Sequence, residues 1–398
     1  MSNAALEKSP LDTIPSEEEV LERARNLIPM LRAKAAETEE NRVVPKEIIA
    51  AFLDAGFYDI LKPKFVGGWE MHPRVFYKVL MEIGRGCGSS AWVLMVTGIH
   101  NWEFGLLPER AAVDVWKDDG ATIVGSSYAA AGRAERVEGG YKLNGVWPTS
   151  SGCDHCDYSF LGGMVPREDS AGLDLRAFLV GRENYEIIDD WQVFGLNGTG
   201  SKSLKVTDAF VPDHHHHSLV DYRLSDRSDI YLMPWDMAFY FAVSSVLVGF
   251  GQAAVDYFIE EIEQRKRATA GTAIDPVTNF LKIRLAEAQL KVRSAKTRLL
   301  HDMDEAYTFM SRRELVPTEA RTQYWLDSAT VGRDIQDAVM LLFQGLSARG
   351  VFLRSPLQRV LRDVIVASNH ITQNSDATNL EVGSLMLGGP LPFKFGGQ

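Results

Sequence analysis

The stretch GRAERVEGGYKLNGVWPTSSGCDHCDY, residues 132–158, decides how this chain folds. Two adjacent glycines, Gly139 and Gly140, separate two short runs of strand-like residues, and this pattern predicts a β-hairpin with a two-residue turn. The second run ends in Thr149-Ser150-Ser151, so hydroxyl and backbone N–H groups gather in one loop. Such groups suit the polar edge of a flat heterocycle, although serine and threonine also end strands merely by satisfying backbone groups. Ser126, which ends an earlier predicted strand, could add a hydroxyl to the same edge.

Strand patterns continue on both sides of the hairpin, and helical patterns enclose them. Alternation, β-branched residues and frequent glycine extend from about residue 121 to 219, and further strands are predicted at 158–165, 173–180 and 203–211. Helical spacing dominates before and after this block, with long amphipathic runs at 278–303 and 317–346. This order predicts an α+β protein with a small antiparallel domain between helical bundles. We expect an N-terminal helical domain at 15–120, a central β domain at 121–225 and a C-terminal helical domain at 226–398.

Single residues predict where several helices begin and end. Pro29 predicts a kink or break in the first helix, Pro45 begins the second helix, and Gly56 lies where that helix should end. Ser89 predicts the N-cap of the fourth helix. Residues 237–255 carry no charge and are long enough to cross a bilayer, but their serines and glycines favour a buried central helix.

Composition excludes several classes of protein. The 398 residues include 42 Lys and Arg against 53 Asp and Glu, a formal net charge of −11, which argues against a nucleic-acid partner. Three cysteines are too few for a disulfide framework and predict a reducing, cytoplasmic setting. The first 20 residues lack the apolar core of a signal peptide. We therefore expect a cytoplasmic protein that acts on neither nucleic acid nor membrane.

One predicted helical face joins Trp92, Val96, Ile99 and His100, because offsets of four, seven and eight residues fall on the same side of a helix. A single histidine among apolar residues is usually a hydrogen-bonded structural residue. The alternative is a pocket wall with one group that titrates near neutral pH and exchanges a proton with a phenol.

A second histidine, His370, follows Arg359 and Arg362-Asp363 near the C-terminus. The seven residues from Asp363 to His370 predict two turns of one helix. An adjacent arginine and aspartate most often form a structural ion pair, so His370 is the chemical candidate of this group.

Two motifs with metal-binding residues predict no metal site. Cys153 and Cys156 have CxxC spacing without the second pair that a structural zinc site requires. The histidines at 214–217 follow Pro212-Asp213, which predicts a surface turn with adventitious binding at most. The glycines of residues 195–200 precede a strand rather than a helix, so they do not form a dinucleotide-binding loop.

Five motifs together carry a resemblance that extends from about residue 17 to 387. They are AGFYDILKPKFVGG (55–68), GRGCGSSAWV (84–93), the stretch at 132–158, GLNGTGSKSLKV (195–206) and SPLQRVLRDVIVASNH (355–370). In this order they resemble the oxygenase components of two-component flavin-dependent monooxygenases, such as 4-hydroxyphenylacetate 3-hydroxylases and seco-steroid phenol hydroxylases. The resemblance implies the acyl-CoA dehydrogenase fold, with a C-terminal four-helix bundle.

The resemblance also implies roles for individual residues. His100, Ser151 and His370 are the implied catalytic residues: Ser151 and His370 flank the reactive atoms of the flavin, and His100 contacts the substrate hydroxyl. Ser126 is an implied contact of substrate or flavin. The remaining implied flavin-binding residues are Trp92, Thr149, Ser150, Arg267, Ser347 and Ala348, with Arg267 reaching the cofactor phosphate of a neighbouring subunit.

The implied activity is hydroxylation of a small aromatic, phenolic molecule by reduced flavin (FMNH2 or FADH2) and O2, through a C4a-hydroperoxyflavin. The resemblance further implies a homotetramer and a separate NAD(P)H-dependent flavin reductase. Oxygenation at nitrogen, sulfur or an indole ring, and flavin binding without turnover, stay open. An acyl-CoA dehydrogenase is the rival. It is disfavoured because no glutamate follows Arg362-Asp363 until Glu381 to remove an α-proton.

Overall fold

The computed structural model describes residues 14–117, 120–167, 172–220, 226–272 and 277–390. Five helices come first: α1 Glu17–Asn41, α2 Lys46–Asp54, α3 Arg74–Gly84, α4 Gly88–Glu103 and α5 Glu109–Trp116. Seven strands follow: β1 Val124–Val137, β2 Gly140–Ser150, β3 Tyr158–Pro166, β4 Leu173–Gly181, β5 Tyr185–Ile188, β6 Lys202–Pro212 and β7 His216–Ser218. The last helices are α6 Trp235–Ala268, α7 Asn279–Ser311, α8 Thr318–Leu346, α9 Pro356–Ala367 and α10 Ser375–Met386.

The helix boundaries confirm some local predictions and correct others. Pro45 directly precedes α2, and Gly56 has a φ of +75° just after it, as predicted. The predicted break at Pro29 is wrong, because α1 continues through this exposed proline while Leu31 and Ala35 on its other side are buried. Packing of a helix face compensates for the one hydrogen bond that a proline removes.

The start of α4 also differs from the prediction. Cys87 is the N-cap and makes no side-chain cap bond, and Ser89 lies inside the helix. A Cβ atom at Gly88 would lie 2.7 Å from Asp363 Oδ2. Glycine therefore lets the first turn of α4 approach a buried carboxyl group closely. The helix begins two residues before the predicted position, since its N-cap is Cys87 rather than Ser89.

The seven strands form one sheet in the order β5-β6-β2-β1-β3-β4-β7. The hairpin of β1 and β2 turns between Val137 and Gly140, as predicted. The purely antiparallel domain is wrong: β3 pairs parallel with β1, with Val124 opposite Tyr158. The reason is that β2 and β3 lie on opposite sides of β1 and run in opposite directions. Since β2 is antiparallel to β1 and β3 runs opposite to β2, β3 is parallel to β1. The sheet is therefore mixed.

The uncharged segment lies in α6, which is the central helix of the protein. Of its most apolar 18-residue window, 89% is buried inside the protein, so its length and hydropathy describe a core helix. Gly84 of α3 and Gly249 of α6 allow their backbones to meet, since a Cβ at Gly249 would lie 2.9 Å from Gly84 Cα. The predicted buried helix is confirmed.

Helix α4 lies where the layers meet. It packs against α3 and α6 of the helical layers and against β1 of the sheet. All of its residues except Gly88 and Val96 are buried. Polar side chains on α4 are therefore held between the sheet and the helices, away from bulk water.

Candidate active site

Helix α4 carries two of the predicted site residues, Trp92 and His100. Eight residues separate them, so they lie on one face about 12 Å apart along the helix axis. Trp92 is 7% exposed and His100 is fully buried. Each forms part of a different polar cluster, and the two clusters are described in turn.

The first cluster, which we call the serine–histidine cluster, consists of Trp92, Ser151 and His370. Trp92 Nε1 donates to Ser151 Oγ at 3.1 Å, and the rings of Trp92 and His370 meet edge to face with centroids 5.7 Å apart. Ser151 Oγ also lies 2.6 Å from Ser201 Oγ, which in turn lies 2.7 Å from Thr199 Oγ1. The indole thus connects the implied partners Ser151 and His370.

The loop at the end of β2 offers unused hydrogen-bonding groups beside this cluster. The register of β2 and β6 shifts between Trp147 and Ser150, and Thr149 has a φ of +60°. Thr149 is exposed, whereas Ser150 is fully buried and its Oγ has no partner in the part of the chain that the structure describes. A buried hydroxyl without a partner is unusual, and it marks a place where a ligand atom would restore the missing bond.

His370 follows α9 rather than continuing it, because the helix ends at Ala367. The prediction that His370 shares a helix with Asp363 is therefore wrong. It caps a short 3₁₀ turn, where its Nδ1 accepts from Thr372 N at 3.3 Å and lies 2.9 Å from Thr372 Oγ1. Burial lowers the pKa of His370 to about 4. The ring is therefore neutral at physiological pH, with its proton on Nε2 as one fixed donor.

Helix α9 supports the serine–histidine cluster in a way that the sequence did not predict. Arg362 does not pair with Asp363; it and Arg359 bind Glu39, at 2.5 and 2.8 Å. Asp363 Oδ1 accepts from Leu196 N at 2.7 Å, and Arg362 also donates to the Phe194 carbonyl. These bonds fix the loop that leads to Ser201. Burial raises the pKa of Asp363 to about 7.

The second cluster, which we call the glutamate cluster, surrounds Glu103, three residues after His100 on α4. Glu103 Oε2 accepts from His100 Nδ1 at 3.0 Å and from the Tyr128 hydroxyl. Its Oε1 accepts from His217 Nε2 at 2.7 Å and from Trp235 Nε1 at 3.3 Å. Burial alone raises the pKa of Glu103, yet the hydrogen bonds from His100 and His217 outweigh it and lower the pKa to about 2.

His100 is therefore not a single histidine among apolar residues, and the sequence-based description of its surroundings is wrong. Its Nδ1 faces an ionised carboxylate, so Nδ1 carries the proton and Nε2 is an acceptor in the neutral ring. Nε2 is buried and has no partner among the described residues. The geometry is that of a base whose orientation is fixed by a carboxylate.

Aromatic rings enclose the acceptor nitrogen of His100. The ring centroids of Tyr128, Phe160 and Phe239 lie 5.8, 5.8 and 5.6 Å from that of His100. Ser126, which is 8% exposed, precedes Tyr128 by two residues on β1 and so shares its face of the sheet. An apolar wall with one buried polar atom is suited to a flat aromatic ligand that carries a hydroxyl group.

The histidine run at 214–217 is only partly a surface turn. His217 is 8% exposed and belongs to the glutamate cluster, which contradicts the surface prediction. His214 and His215 face Asp114 with Nε2 atoms 2.7 and 3.3 Å from Oδ2, a group that could hold a metal ion. Arg110 already approaches the same oxygen at 3.9 Å. We interpret the group as ion-paired.

The CxxC pair binds backbone carbonyls. Cys153 and Cys156 are buried free thiols whose sulfur atoms lie 3.6 and 3.3 Å from the carbonyl oxygens of Gly200 and Gly152. Burial raises the pKa of both thiols. The contact from Cys153 ties the loop after Ser151 to Gly200, just before Ser201.

Comparisons with known proteins identify the family of this chain. Family models for the acyl-CoA dehydrogenase N-terminal and C-terminal domains match residues 15–105 and 241–375. The flavin-dependent monooxygenase oxygenase subunit HsaA of Rhodococcus jostii is 33% identical over 382 residues, covering 93% of this chain and 99% of that protein. The chain belongs to the oxygenase subunits of flavin-dependent monooxygenases.

Further comparisons agree with this assignment. The FADH(2)-dependent resorcinol hydroxylase, oxygenase component, of a Rhizobium species is 30% identical, over 92% of this chain and 93% of that protein. A solved 3-HSA hydroxylase from Rhodococcus sp. RHA1 superimposes with a TM-score of 0.90 at 33% identity, over 96% of this chain and all of that one. These comparisons confirm the predicted family, the monooxygenase class and the flavin cofactor. They also confirm, at the level of the family, the predicted activity of a two-component flavin-dependent aromatic hydroxylase.

The residues of this oxygenase fit a flavin. The isoalloxazine edge requires fixed donors and acceptors. The end of β2 offers Ser150 Oγ, which is unpaired among the described residues, and the loop after it offers Ser151 Oγ. The turn after α9 adds the Nε2–H of His370. The exposed Thr149 backbone adds groups that a ligand can cover. Trp92 supplies an aromatic surface beside them.

Three predicted flavin-binding residues lie elsewhere in the oxygenase. Arg267 is exposed near the end of α6, where its charge contributes, after the larger effect of Lys266, to lowering the pKa of Glu263. Ser347, with a φ of +52°, and Ala348 are exposed directly after α8. Arg265 donates to the Leu346 carbonyl at 3.5 Å, so the ends of α6 and α8 are adjacent. One chain alone does not join these residues to the serine–histidine cluster.

Sequence reasoning missed Glu103, Tyr128, Ser201, His217 and Trp235. Only Glu103 left a usable signal, since residues three apart on a helix are neighbours and a glutamate can orient a histidine. The others come from strands and helices whose approach depends on tertiary packing.

Proposed function

We propose that this oxygenase hydroxylates a small phenol, with His100 accepting the phenol proton. The observation that carries the proposal is the buried, unpaired Nε2 of His100 inside an aromatic wall. A phenol satisfies both features, because its ring packs on Tyr128 and Phe239 and its O–H donates to the orphaned nitrogen.

When bound, reduced flavin supplies the activation of O2 and the oxygen atom that is transferred. Trp92, Ser126, Thr149, Ser150, Ser151 and His370 are the residues proposed to hold it. The neutral His370 Nε2–H is a hydrogen-bond donor, and the Ser151 hydroxyl can donate when Ser201 donates to it. Both would then stabilise developing negative charge without large reorganisation. The buried faces of α4 and α6 exclude water from the reacting atoms.

His100 performs the proton transfer. The phenol O–H bond breaks as Nε2–H forms, and the electron pair stays on the phenolic oxygen, which enriches the ring carbon that accepts oxygen. A positioned general base contributes roughly 10²–10⁴-fold in rate. The adjacent Glu103 carboxylate stabilises the imidazolium that forms, as in other base–carboxylate pairs.

Arg267, Ser347 and Ala348 are proposed to complete the flavin site of a neighbouring copy. Arg267 is an exposed guanidinium on a helix end, which suits the phosphate of FMN or FAD. The proposed assembly is a homotetramer. Within each chain we propose domains at 15–120, 121–225 and 226–398, the last built on a four-helix bundle in which α6, α7 and α8 pack together.

The names of the relatives as oxygenase components and subunits imply a separate partner component. We propose that it is an NAD(P)H-dependent flavin reductase in the cytoplasm. Oxygenation of an indole ring is the second candidate, because a relative from Pseudomonas putida, 27% identical over 367 residues, is an indole-3-acetate monooxygenase. Oxygenation at nitrogen or sulfur would leave His100 without a hydroxyl partner.

Turnover with a flavin reductase, NADH and panels of phenols, indoles, amines and thiophenes tests the proposal. We expect hydroxylated phenols from the wild type, and a large loss of product in His100→Ala that retains flavin binding. Product from indoles or thiophenes alone, or unchanged phenol hydroxylation by the variant, would contradict the proposal.

A further inference from the structure

The glutamate cluster contains a second histidine whose protonation is set by its partners. His217 Nδ1 lies 2.9 Å from the Ser218 carbonyl oxygen, and His217 Nε2 lies 2.7 Å from Glu103 Oε1. Both partners are acceptors only, because a carbonyl has no proton and the Glu103 carboxyl is ionised. The ring satisfies both bonds only with a proton on each nitrogen, as an imidazolium.

A buried carboxylate and a buried imidazolium therefore face each other behind the pocket. Glu103 is fully buried and His217 nearly so. An isolated charge in this position would be strongly disfavoured, and the pair with its additional donors compensates each charge. The pair leaves Oε2 of Glu103 free to accept from His100 and Tyr128.

We propose that Glu103, kept ionised by His217, is a positioning residue that fixes His100 in the tautomer whose Nε2 accepts the substrate proton. This inference rests on the proposed function, because it explains how the proposed base is prepared. Glu103 does not touch the substrate in this account. It acts through Nδ1 of His100.

Tyr128 shows why the carboxylate is required. Its hydroxyl lies 3.1 Å from His100 Nδ1, and it donates to Glu103 Oε2. If the carboxylate charge were removed, the hydroxyl could donate to Nδ1 instead. The His100 proton would then move to Nε2, which would become a donor and could no longer accept a phenol proton.

A chromogenic probe tests the tautomer without turnover. 4-Nitrophenol is titrated into the oxygenase with reduced flavin under anaerobic conditions, and absorbance reports the fraction bound as phenolate. We expect the wild type to bind mainly phenolate and Glu103→Gln to lower the phenolate fraction at least fivefold. The control is Glu138→Gln, at an exposed glutamate on the hairpin, which should match the wild type.

Two further measurements separate the possible failures. Near-ultraviolet circular dichroism shows whether Glu103→Gln is folded, and a folded variant that binds as much phenolate as the wild type would overturn the proposal. Selective ¹⁵N-histidine NMR of the wild type does not depend on this variant. It should show a ring protonated on Nδ1 alone, lost in His100→Gln, and a doubly protonated ring, lost in His217→Gln.

A His100 ring protonated on Nε2 would overturn the positioning role even if phenols are hydroxylated. Conversely, the wild type could show the expected histidine tautomers by NMR and yet form no hydroxylated phenol. This result would refute the proposed function but support the positioning of His100 by Glu103.

Discussion

The two polar clusters at either end of α4 differ in how complete they are. Among the described residues, every polar side-chain atom of the glutamate cluster except His100 Nε2 has a partner, and the charges of the cluster compensate each other. The serine–histidine cluster is neutral, since burial lowers the pKa of His370, and the Ser150 hydroxyl beside it lacks a partner. The difference agrees with the proposed roles, in which the chain alone orients the proposed base His100 and a bound flavin completes the serine–histidine cluster.

The largest effect on hydroxylated product is expected in the glutamate cluster. His100→Ala removes the acceptor that the aromatic wall encloses, so hydroxylated product should fall about 10²–10⁴-fold. The proposed flavin contacts lie at the other end of α4, so binding of reduced flavin should change little. Product yield by chromatography and an anaerobic flavin titration measure the two quantities. Equal losses of product and of flavin affinity would show that the glutamate cluster and the serine–histidine cluster do not act separately.

A smaller effect, on the ratio of H2O2 to hydroxylated product, is expected in the serine–histidine cluster. His370→Ala removes the Nε2–H donor, so O2 consumption should continue while the ratio of H2O2 to hydroxylated product rises. The rise should be about tenfold, which corresponds to about 1.5 kcal/mol for one hydrogen bond to a developing charge. A peroxide assay beside product analysis checks this ratio. His301→Ala, on α7 outside both clusters, is the matched control, and an unchanged ratio in His370→Ala would remove His370 from the reaction.

Trp92→Phe should sharpen the comparison because it keeps the ring and removes the N–H. The donor to Ser151 Oγ is lost, which costs about 1 kcal/mol in one hydrogen bond and weakens flavin binding roughly fivefold. The bonds of Glu103 are untouched. A titration with reduced flavin measures the loss, and unchanged affinity would show that Ser151 is oriented by Ser201 alone.

Two buried carboxyl groups extend the comparison to stability. The pKa of Asp363 is raised to about 7, so the folded protein keeps a proton that the unfolded chain releases above its ordinary value of 3.8. Wild-type stability should therefore fall as pH rises from about 4 to 7, and Asp363→Asn should lose this dependence. We expect the variant to gain about 1–2 kcal/mol relative to the wild type between pH 4 and 8.

Glu103 behaves in the opposite way because its pKa is lowered to about 2. The stability that ionised Glu103 contributes is present above pH 4.5, the ordinary pKa of a glutamate, and is lost as pH falls toward 2. Glu103→Gln should therefore be destabilised, relative to the wild type, most at neutral pH. Urea unfolding across this pH range measures both variants. Parallel curves for the wild type and Asp363→Asn would contradict the account of Asp363.

How much of this could be predicted from the sequence depends on the distance over which each feature is decided. The Gly139-Gly140 hairpin, the buried α6 and the end of α2 at Gly56 follow from local spacing and were predicted correctly. The parallel pairing of β1 and β3 depends on which edge of β1 the chain returns to, and no local pattern specifies that.

The site shows the same limit. The motif resemblance identified the family and named Trp92, Ser151 and His370, which the structure brings together. It did not reveal the other partners of Glu103, because His217 and Trp235 lie more than 100 residues from it in the sequence. Arg362 and Asp363 are adjacent in sequence but point to different partners, since neighbouring residues on a helix face different directions.

The most direct measurement is a crystal structure of the anaerobic complex with reduced flavin and a bound phenol. We expect the phenol oxygen to lie within hydrogen-bond distance of His100 Nε2 and the isoalloxazine edge to lie against Ser151 and His370. A phenol oxygen bound away from His100, with Nε2 still unpaired, would contradict this expectation.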